Sequence, residues 1–321
     1  MAKTTVVIPN YNGMKYLKDC LDSLKLCQPQ DFKVVVSDDG STDGSIELLR
    51  NEYQWVRLLT SEKNTGFAAA VNRGIKASET DYCLLLNNDT RVEPDFVAAL
   101  QRAIEADEKI FSVSAKMVRM DDPDKIDGAG DYYCALGWAF ACGTDKKASD
   151  YNKPREIFSA CGGASIYRRD VLIDIGLFDE EHFAYLEDVD VGYRARIKGY
   201  INMYEPSAVC LHAGSGFSGS RYNEFKLNFS SRNNIYIICK NMPLLQQLIN
   251  LPFLMAGFFL KFLFFTKKGF GFKYLKGLFR GLKLGYSRIG RVKKVRFSFK
   301  NLPSYIKIQL ELWANIIRFF A

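Results

Sequence analysis

The chain has 321 residues, of which 48% are hydrophobic and 25% are charged. This composition excludes a disordered or fibrous chain and is typical of one large globular domain with an appendage, or of two domains. The net charge of +8 is uneven, because residues 240–321 hold 16 Lys and Arg and a single acid, a local net charge of +15. A mildly acidic domain followed by a basic tail predicts an anionic partner for the tail.

Strand and helix patterns alternate through the first hundred residues. Strands are predicted for four apolar runs that end in polar turn residues, at 4–8, 32–36, 55–59 and 82–86. A helix is predicted after each run; in the first, Leu17, Leu21 and Leu24 recur at helical spacing. Met1 leads directly into strand-like residues and the eight cysteines show no paired spacing, so a reduced, cytosolic setting is predicted. The alternation predicts a doubly wound α/β layer with a mostly parallel sheet.

Polar clusters follow three of these strands. Asp39 comes after the second strand, Asn64 after the third, and Asn87-Asn88-Asp89 after the fourth. Turn chemistry alone explains any one of these clusters. However, the carboxyl ends of parallel strands meet at one edge of a sheet, where ligands bind in open α/β folds. The three clusters therefore predict a nucleotide site, with Asp89 and Asn87 as oxygen donors for a divalent cation.

The middle of the chain is less regular. Residues 121–153 show no clear period and are predicted to be an irregular insertion that walls an acceptor site. Trp138 within it is either a packing residue or a platform for a sugar ring. A strand is predicted at 159–166, interrupted by Gly162 and Gly163, where a ligand or a second backbone approaches closely.

Two further polar groups are candidates for chemistry. Glu187 and Asp188 begin a predicted helix, where the macrodipole stabilises carboxylates, although acids are common at helix starts. Asp190 and Arg194, four residues apart, are predicted to form an ordinary surface pair. His212 is one of two histidines and is either a metal ligand or a buried structural residue. The Gly- and Ser-rich run after it is predicted to be a lid.

The tail is basic and rich in aromatic residues. Residues 244–265 are mostly apolar but contain Pro252 and Lys261, which makes a membrane span borderline. Apolar stripes beside basic residues in the following segments, including 305–320 with Trp313, predict helices that lie in the interface of an anionic membrane. A helical subdomain packed on the core is the alternative. Nucleic acid is not a predicted partner, because no recognisable nucleic-acid module accompanies the charge.

Six segments in order carry a family resemblance: VVIPNYNG, SDDGSTDGS, NTGFAAAVNRGI, LLLNNDT, GGASIYRRDVLIDIGLFDE and YLEDVDVGYRARIKGY. They resemble the family 2 inverting glycosyltransferases, and most closely the rhamnosyltransferase-type enzymes of bacterial cell-surface polysaccharide synthesis. The resemblance implies a GT-A type, Rossmann-like α/β/α sandwich over residues 1–240. Its nucleotide-sugar part would cover about 1–120 and its acceptor part about 121–240. A basic, helical, membrane-associating tail would follow at 241–321.

The resemblance also assigns roles to individual residues. The residues implied in nucleotide binding are Pro9, Tyr11, Asp39, Asn64, Asn72 and Asn88. Asp89 and His212 are implied ligands of Mg²⁺ or Mn²⁺, and Asp188 is the implied catalytic base. The implied acceptor or supporting residues are Gly163, Glu187 and Arg232. Asn87 stands where many members have Asp, which reduces the implied metal affinity. The Q-x-x-R-W motif of processive members is absent, which implies that one or a few sugars are added.

The implied function is inverting transfer of a sugar from a nucleotide-diphosphate donor to a hydroxyl of a lipid-linked or cell-surface glycan, at the cytoplasmic face of the membrane. The resemblance alone suggests dTDP-rhamnose as the donor. A sugar-nucleotide pyrophosphorylase is an alternative, but Pro9–Gly13 lacks the expected Gly-rich loop with Arg and Lys. A non-catalytic nucleotide-binding scaffold is another, but Asp39, Asp89 and Asp188 are all present.

Overall fold

A ten-stranded mixed sheet forms the centre of the protein, which the computed structural model describes over residues 2–214 and 223–320. The strands are β1 (Thr4–Asn10), β2 (Phe32–Asp38), β3 (Arg57–Thr60), β4 (Tyr82–Leu86), β5 (Thr90–Val92), β6 (Ile110–Arg119), β7 (Ile126–Gly128), β8 (Asp131–Cys134), β9 (Trp138–Ala141), β10 (Arg155–Ile157), β11 (Ala164–Arg168) and β12 (Ile201–His212). The sheet order is β10-β12-β6-β11-β4-β1-β2-β3, with β5 beside β12 and β7 beside β6. Strands β8 and β9 form a separate hairpin.

Strands β3, β2, β1 and β4 are parallel, whereas β11 lies antiparallel between β4 and β6. The continuous apolar runs of β1 and β4 follow from burial on both faces of the sheet. Val7 and Leu85 pack into one hydrophobic core, while Val6 and Leu84 pack into the other. The predicted mixed, mostly parallel α/β sheet is therefore confirmed.

Helices cover the sheet and extend the chain beyond it. They are α1 (Met14–Lys25), α2 (Ser45–Glu52), α3 (Phe67–Ala77), α4 (Phe96–Glu105), α5 (Arg169–Asp174), α6 (Glu187–Ile197), α7 (Glu224–Asn241), α8 (Leu244–Lys267), α9 (Gly271–Tyr286), α10 (Arg288–Lys293) and α11 (Leu302–Phe320). The strand predicted at 159–166 begins only at Ala164, because the chain turns at Gly162 and Gly163. The run predicted to be a lid falls, at residues 215–222, outside the described residues.

The C-terminal helices pack on the β8–β9 hairpin. Asn315 of α11 donates a hydrogen bond to the Tyr133 carbonyl at 2.9 Å. Trp138 donates through Nε1 to the Gly257 carbonyl of α8 at 3.1 Å, and its ring packs against Phe319. Trp138 is thus a packing residue rather than a sugar platform. The insertion predicted to be irregular is ordered by these long-range contacts.

Helix α8 is the one helix among residues 2–214 and 223–320 that is long and apolar enough to cross a membrane by length and composition. Only 17% of the most apolar 18-residue stretch of this helix is buried inside the protein. A core helix of the same composition would be mostly covered, so this exposure is consistent with a membrane-associating region.

Because β4 lies at the centre of the sheet, shortening one of its buried side chains should destabilise the protein. Leu84 is fully buried in β4, so Leu84→Ala should lower the free energy of unfolding by about 2–5 kcal/mol through lost burial and a cavity. Leu26→Ala, at a side chain that is 68% exposed, should change it by less than about 0.5 kcal/mol. Urea denaturation followed by circular dichroism measures both, and similar losses in the two variants would contradict the assignment of the core.

Candidate active site

The carboxyl ends of β1, β2 and β4 open into a cleft with a volume of about 820 Å³. This size is within the range of small-molecule and cofactor sites. Ten of the twelve residues implied by the family resemblance line it: Pro9, Tyr11, Asp39, Asn64, Asn88, Asp89, Gly163, Glu187, Asp188 and His212. Asn72 and Arg232 do not line the cleft. The turns after parallel strands therefore converge at one edge of the sheet, as predicted.

Asp39 ties the end of β2 to the start of α3. Its carboxylate accepts hydrogen bonds from the backbone of Thr65 at 2.7 Å and of Gly66 at 2.8 Å, and from Arg73 at 2.8 Å. Gly66 has φ +93°, and a Cβ there would lie 2.6 Å from the Phe183 carbonyl oxygen. Asp39 thus shapes one wall of the cleft through the backbone of Thr65 and Gly66 that it holds.

Asn88 is fixed by an asparagine that the sequence did not single out. Its Nδ2 donates to Asn10 Oδ1 at 2.7 Å, and Asn10 Nδ2 donates to Asp38 at 2.7 Å. A Cβ on Gly13 would lie 1.9 Å from Asn88 Nδ2, so the glycine leaves room for this contact. The signal was present in the Pro-Asn-Tyr-Asn-Gly stretch, where the first asparagine is the last residue of β1.

Asn72 and Arg232 have partners elsewhere. Asn72 Nδ2 donates to the Phe178 carbonyl at 2.8 Å and to Glu180 at 2.9 Å, which joins α3 to the segment that precedes α6. Arg232 donates to the His182 carbonyl at 2.9 Å from α7. Both side chains therefore bind the segment that precedes α6, the helix that carries Asp188.

Asp89 and His212 face each other because β5 pairs with the end of β12. His212 Nε2 lies 3.3 Å from Asp89 Oδ1, while Nδ1 lies 2.8 Å from Asp127 Oδ2. Burial alone would lower the pKa of His212, but hydrogen bonds to Asp127 and Asp89 raise it to about 10. Asp127, within the insertion predicted to be irregular, carried no signal in the sequence.

These groups fit a divalent cation. A carboxylate on the far nitrogen of a metal-binding histidine fixes the ring orientation and leaves the other nitrogen for the metal. Asp127 has that position on His212. The 3.3 Å between Asp89 Oδ1 and His212 Nε2 suits neighbouring ligands of an ion with bonds of about 2.0–2.6 Å. Carboxylate oxygen is a preferred ligand of Mg²⁺ and Mn²⁺.

Asp188 lies near the carboxylate of Asp131. The carboxylate oxygens of Asp188 accept hydrogen bonds from Val189 N at 2.8 Å and from Gly162 N at 3.2 Å. Asp131, Cys161 and Asp188 offer side-chain atoms that all lie within 4.8 Å of one another. Burial raises the pKa of Asp188, an effect that its backbone hydrogen bonds oppose.

Asp131 is the better site for a proton in this cluster. Burial and the charge of Asp188 hold the pKa of Asp131 well above its usual range. The pKa of Glu187 is also raised well above its usual range, by burial and then by Asp188. When carboxylates share a site, one holds a proton so that another ionises. We therefore expect neutral Asp131 and Glu187 beside an ionised Asp188.

Asp190 contrasts with these acids. It was predicted to form a surface pair with Arg194, but both side chains are buried and their charged atoms lie 2.8 Å apart. Lys240 of α7 also binds Asp190 at 2.8 Å. Burial opposes ionisation, yet the charges of Arg194 and Lys240 keep the pKa of Asp190 far below its usual range. The prediction failed because helical spacing does not reveal which face another helix covers.

The chain is similar in sequence to a glycosyltransferase family and to enzymes of glycan synthesis. A family model described as "Glycosyl transferase family 2" matches residues 5–176. The N-acetylglucosaminyl-diphospho-decaprenol L-rhamnosyltransferase of Mycobacterium tuberculosis is 30% identical over 230 residues, which cover 64% of this chain and 75% of that protein. The poly-beta-1,6-N-acetyl-D-glucosamine synthase of Staphylococcus aureus is 25% identical over 211 residues, which cover 64% of this chain and 48% of that protein.

Solved structures share the fold. GalNAc-T7 with UDP, GalNAc and Mn²⁺ has a TM-score of 0.60 and 17% identity, covering 74% of this chain and 48% of that one. The mannosyltransferase PcManGT from Pyrobaculum calidifontis with GDP-Man and Mn²⁺ has a TM-score of 0.53 and 17% identity, covering 97% of this chain and 84% of that one. S. aureus TarS has a TM-score of 0.51 and 17% identity, covering 95% of this chain and 47% of that one. These likenesses confirm the GT-A type fold.

The raised pKa of His212 predicts pH-dependent stability in the metal-free protein. Since the pKa rises from 6.5 to about 10 on folding, the contribution is complete below about pH 6.5 and is lost as the pH rises through about 10. Relative to His212→Gln, the wild type in chelator should lose at most about 5 kcal/mol of unfolding free energy across that interval, because one pKa unit corresponds to about 1.4 kcal/mol. Urea titrations along a pH series measure the difference. Asp127→Asn should reduce it, and a difference that does not vary with pH would contradict the assignment.

Proposed function

The chain belongs to glycosyl transferase family 2, and we propose that it transfers a sugar from a nucleotide-diphosphate donor to a glycan hydroxyl with inversion at the anomeric carbon. The proposal rests on one observation: Asp188 and the Asp89–His212 pair line the same cleft. Members of a glycosyltransferase family need a base for the acceptor and a charged site for the departing diphosphate. The similar mycobacterial rhamnosyltransferase makes dTDP-rhamnose the first donor to test.

Asp188 has the role of the base. It accepts the proton of the acceptor hydroxyl while the hydroxyl oxygen attacks the anomeric carbon. The bond from that carbon to the diphosphate oxygen breaks on the opposite side, so the configuration inverts and the nucleoside diphosphate leaves with the electron pair. Gly162 N and Val189 N orient the carboxylate of Asp188. Asp131 retains its own proton and leaves Asp188 ionised.

Asp89 and His212 have the role of holding Mg²⁺ or Mn²⁺. A bound cation stabilises the negative charge that develops on the leaving diphosphate. Asp127 holds the His212 ring so that Nε2 faces Asp89. The structural neighbours GalNAc-T7 and PcManGT are described with Mn²⁺, which supports a divalent cation of this kind.

The nucleotide occupies the side of the cleft formed after β1, β2 and β3. Pro9 and Tyr11 line it from the first turn, and Asn64 lines it from the turn before α3. The β8–β9 hairpin, with Phe140, lines the cleft as well and supplies a wall for the acceptor. The proposed GT-A unit at about 1–240 has its nucleotide part at about 1–120 and its acceptor part at about 121–240.

Replacing the base should nearly abolish turnover. Asp188→Asn keeps the shape of the side chain but cannot accept a proton, so kcat should fall by about 10²–10⁴-fold while nucleotide binding persists. The measurement is release of nucleoside diphosphate, with binding followed by calorimetry. Asp174→Asn, at a solvent-exposed ion pair with Lys198, is the matched control and should retain activity. Turnover close to wild type in Asp188→Asn would remove Asp188 from this role.

A donor screen tests the reaction class and the cation together. Purified protein with Mg²⁺ or Mn²⁺ receives a panel of nucleotide sugars and a membrane lipid extract as the acceptor source. Release with one donor, abolished by chelator, supports the proposed reaction. Release that persists in chelator contradicts the metal role of Asp89 and His212. Nucleotide binding with no release from any donor supports the non-catalytic scaffold instead.

The proposed acceptor is glycan or lipid-linked, and the proposed location is the cytoplasmic face of a membrane. Exposed apolar side chains form what we term the apolar platform: Leu245, Leu248, Ile249, Met255 and Phe259 of α8, with Ile306, Leu310, Trp313, Ile317 and Phe320 of α11. The net charge of +15 in residues 240–321 complements anionic lipid.

The packing of α8 favours an in-plane orientation. Gln246 accepts a hydrogen bond from Tyr193 at 2.9 Å, Asn250 pairs with Gln309 of α11 at 2.8 Å, and Gly257 accepts from Trp138. These contacts hold one face of the helix for about 16 Å along its axis. A helix crossing a hydrocarbon core of about 30 Å would have to leave the domain. An interfacial helix keeps these contacts and buries its other face in lipid.

Membrane binding should depend on the apolar platform and on anionic lipid. The protein should co-sediment with phosphatidylglycerol vesicles more than with phosphatidylcholine vesicles, and high salt should weaken the binding. The triple change of Ile306, Leu310 and Ile317 to Ser should reduce binding at least about tenfold through lost apolar burial. Ile173→Ser, at an exposed apolar residue of α5, is the control. Resistance to alkaline carbonate extraction would contradict the in-plane orientation.

A further inference from the structure

The segment immediately before the catalytic helix has strained backbone. Phe183, Tyr185 and Leu186 have φ values of +61°, +70° and +68°. Non-glycine residues in this region cost about 1–3 kcal/mol each and persist only where their surroundings enforce them. Leu186 directly precedes Glu187 and Asp188 at the start of α6. The conformation of residues 182–186 therefore sets where the carboxylate of Asp188 lies.

A single amide of α7 holds this segment. Asn233 Nδ2 donates to the carbonyls of His182 at 2.9 Å, Ala184 at 2.9 Å and Tyr185 at 2.7 Å. The side chain of Asn233 is fully buried. An amide nitrogen has two N–H donors, so three carbonyls share them, and these carbonyls converge on one point of α7. An extended backbone would not turn three nearby carbonyls toward the same atom.

Arg232 supports the amide. Its Nε donates to Asn233 Oδ1 at 2.9 Å, which orients the Asn233 side chain so that Nδ2 faces the segment. The guanidinium also donates to the His182 carbonyl and lies 4.8 Å from the centre of the Phe229 ring. Phe229 in turn stacks on Phe183, with ring centres 5.0 Å apart. Arg232 and Asn233 thus contact the strained segment through both backbone and side chain.

We propose that Asn233, with Arg232 as its support, is a positioning residue for sugar transfer: it holds residues 182–186 in the strained conformation that presents the Asp188 carboxylate to the acceptor. The inference rests on the proposed role of Asp188 as the base. The Phe183 carbonyl also accepts a hydrogen bond from Ala68 N of α3, at 3.3 Å. The segment is therefore held from the nucleotide side as well, and α7 supplies the opposing contact.

Asn233→Ala and Asn233→Asp test the proposal by separating kcat from binding. Both remove the N–H donors, and Asn233→Asp keeps the shape of the side chain. A misplacement of a catalytic group by about 1 Å can lower the rate by about 10²-fold, so kcat should fall by about 10–100-fold. Donor KM and nucleotide affinity should stay within about twofold. Ser231→Ala, on the same turn of α7, removes a hydroxyl that donates to the Leu227 carbonyl within the helix, and it should retain kcat.

A double-mutant cycle distinguishes positioning from a general loss of structure. If Asn233 acts through Asp188, adding Asn233→Ala to Asp188→Asn should cause little further loss of kcat. Losses that multiply in the double variant would overturn the proposal, as would unchanged kcat in both Asn233 variants. Asp188→Asn measured alone identifies failure of the proposed function, because near-normal turnover in that variant removes the base itself. If Asp188→Asn has low turnover and Asn233→Ala lowers kcat by the same factor in that background as in the wild type, only the positioning role fails.

Discussion

The backbone pairing of β4 organises this molecule, because β4 joins the all-parallel half of the sheet to its mixed half. On one side it pairs in parallel with β1, and on the other it pairs antiparallel with β11. Its five residues are all buried, so the hydrophobic effect fixes its position and register. Immediately beyond it, Asn87 N donates to the Gly163 carbonyl at 2.8 Å. Asp89 thus lies between the turns that follow β1 and β2 and the strand β11, which leads toward Asp188.

Around this frame the protein separates two kinds of carboxylate. Asp190 of α6 and Asp179, which precedes that helix, are buried and share the ammonium group of Lys240 at 2.8 and 2.7 Å. Compensating cations keep such buried acids ionised and make them structural. Asp131 and Asp188 face the cleft, where burial and the negative charge of Asp188 both raise the pKa of Asp131. Asp188 and Asp190 differ because they lie on opposite sides of α6. Asp190 contacts Lys240, whereas Asp188 faces the cleft.

The sequence was sufficient for the strands β1–β4 and for the turns at their carboxyl ends. Apolar runs such as 82–86 have few alternatives to burial, and parallel pairing carries the following polar residues to one edge. Asp127 and Asp131 could not be predicted, because contacts distant in sequence order their segment. Asn315, for example, bonds to the Tyr133 carbonyl across 182 residues. Asn233 lies in α7, and helical periodicity does not reveal that its amide meets three distant carbonyls.

The same long-range contacts connect the proposed acceptor side of the cleft to the apolar platform. The hairpin that brings Asp131 and Phe140 to the cleft is hydrogen-bonded to α8 through Trp138 and to α11 through Asn315. A Cβ on Gly257 would lie 2.1 Å from the Leu136 carbonyl oxygen, so α8 meets the hairpin at backbone contact distance. Any tilt of α8 or α11 must therefore move the proposed acceptor wall or break these contacts. The proposed membrane helices thus support the hairpin together with α7, where Asn234 accepts a hydrogen bond from the Tyr133 hydroxyl at 3.0 Å.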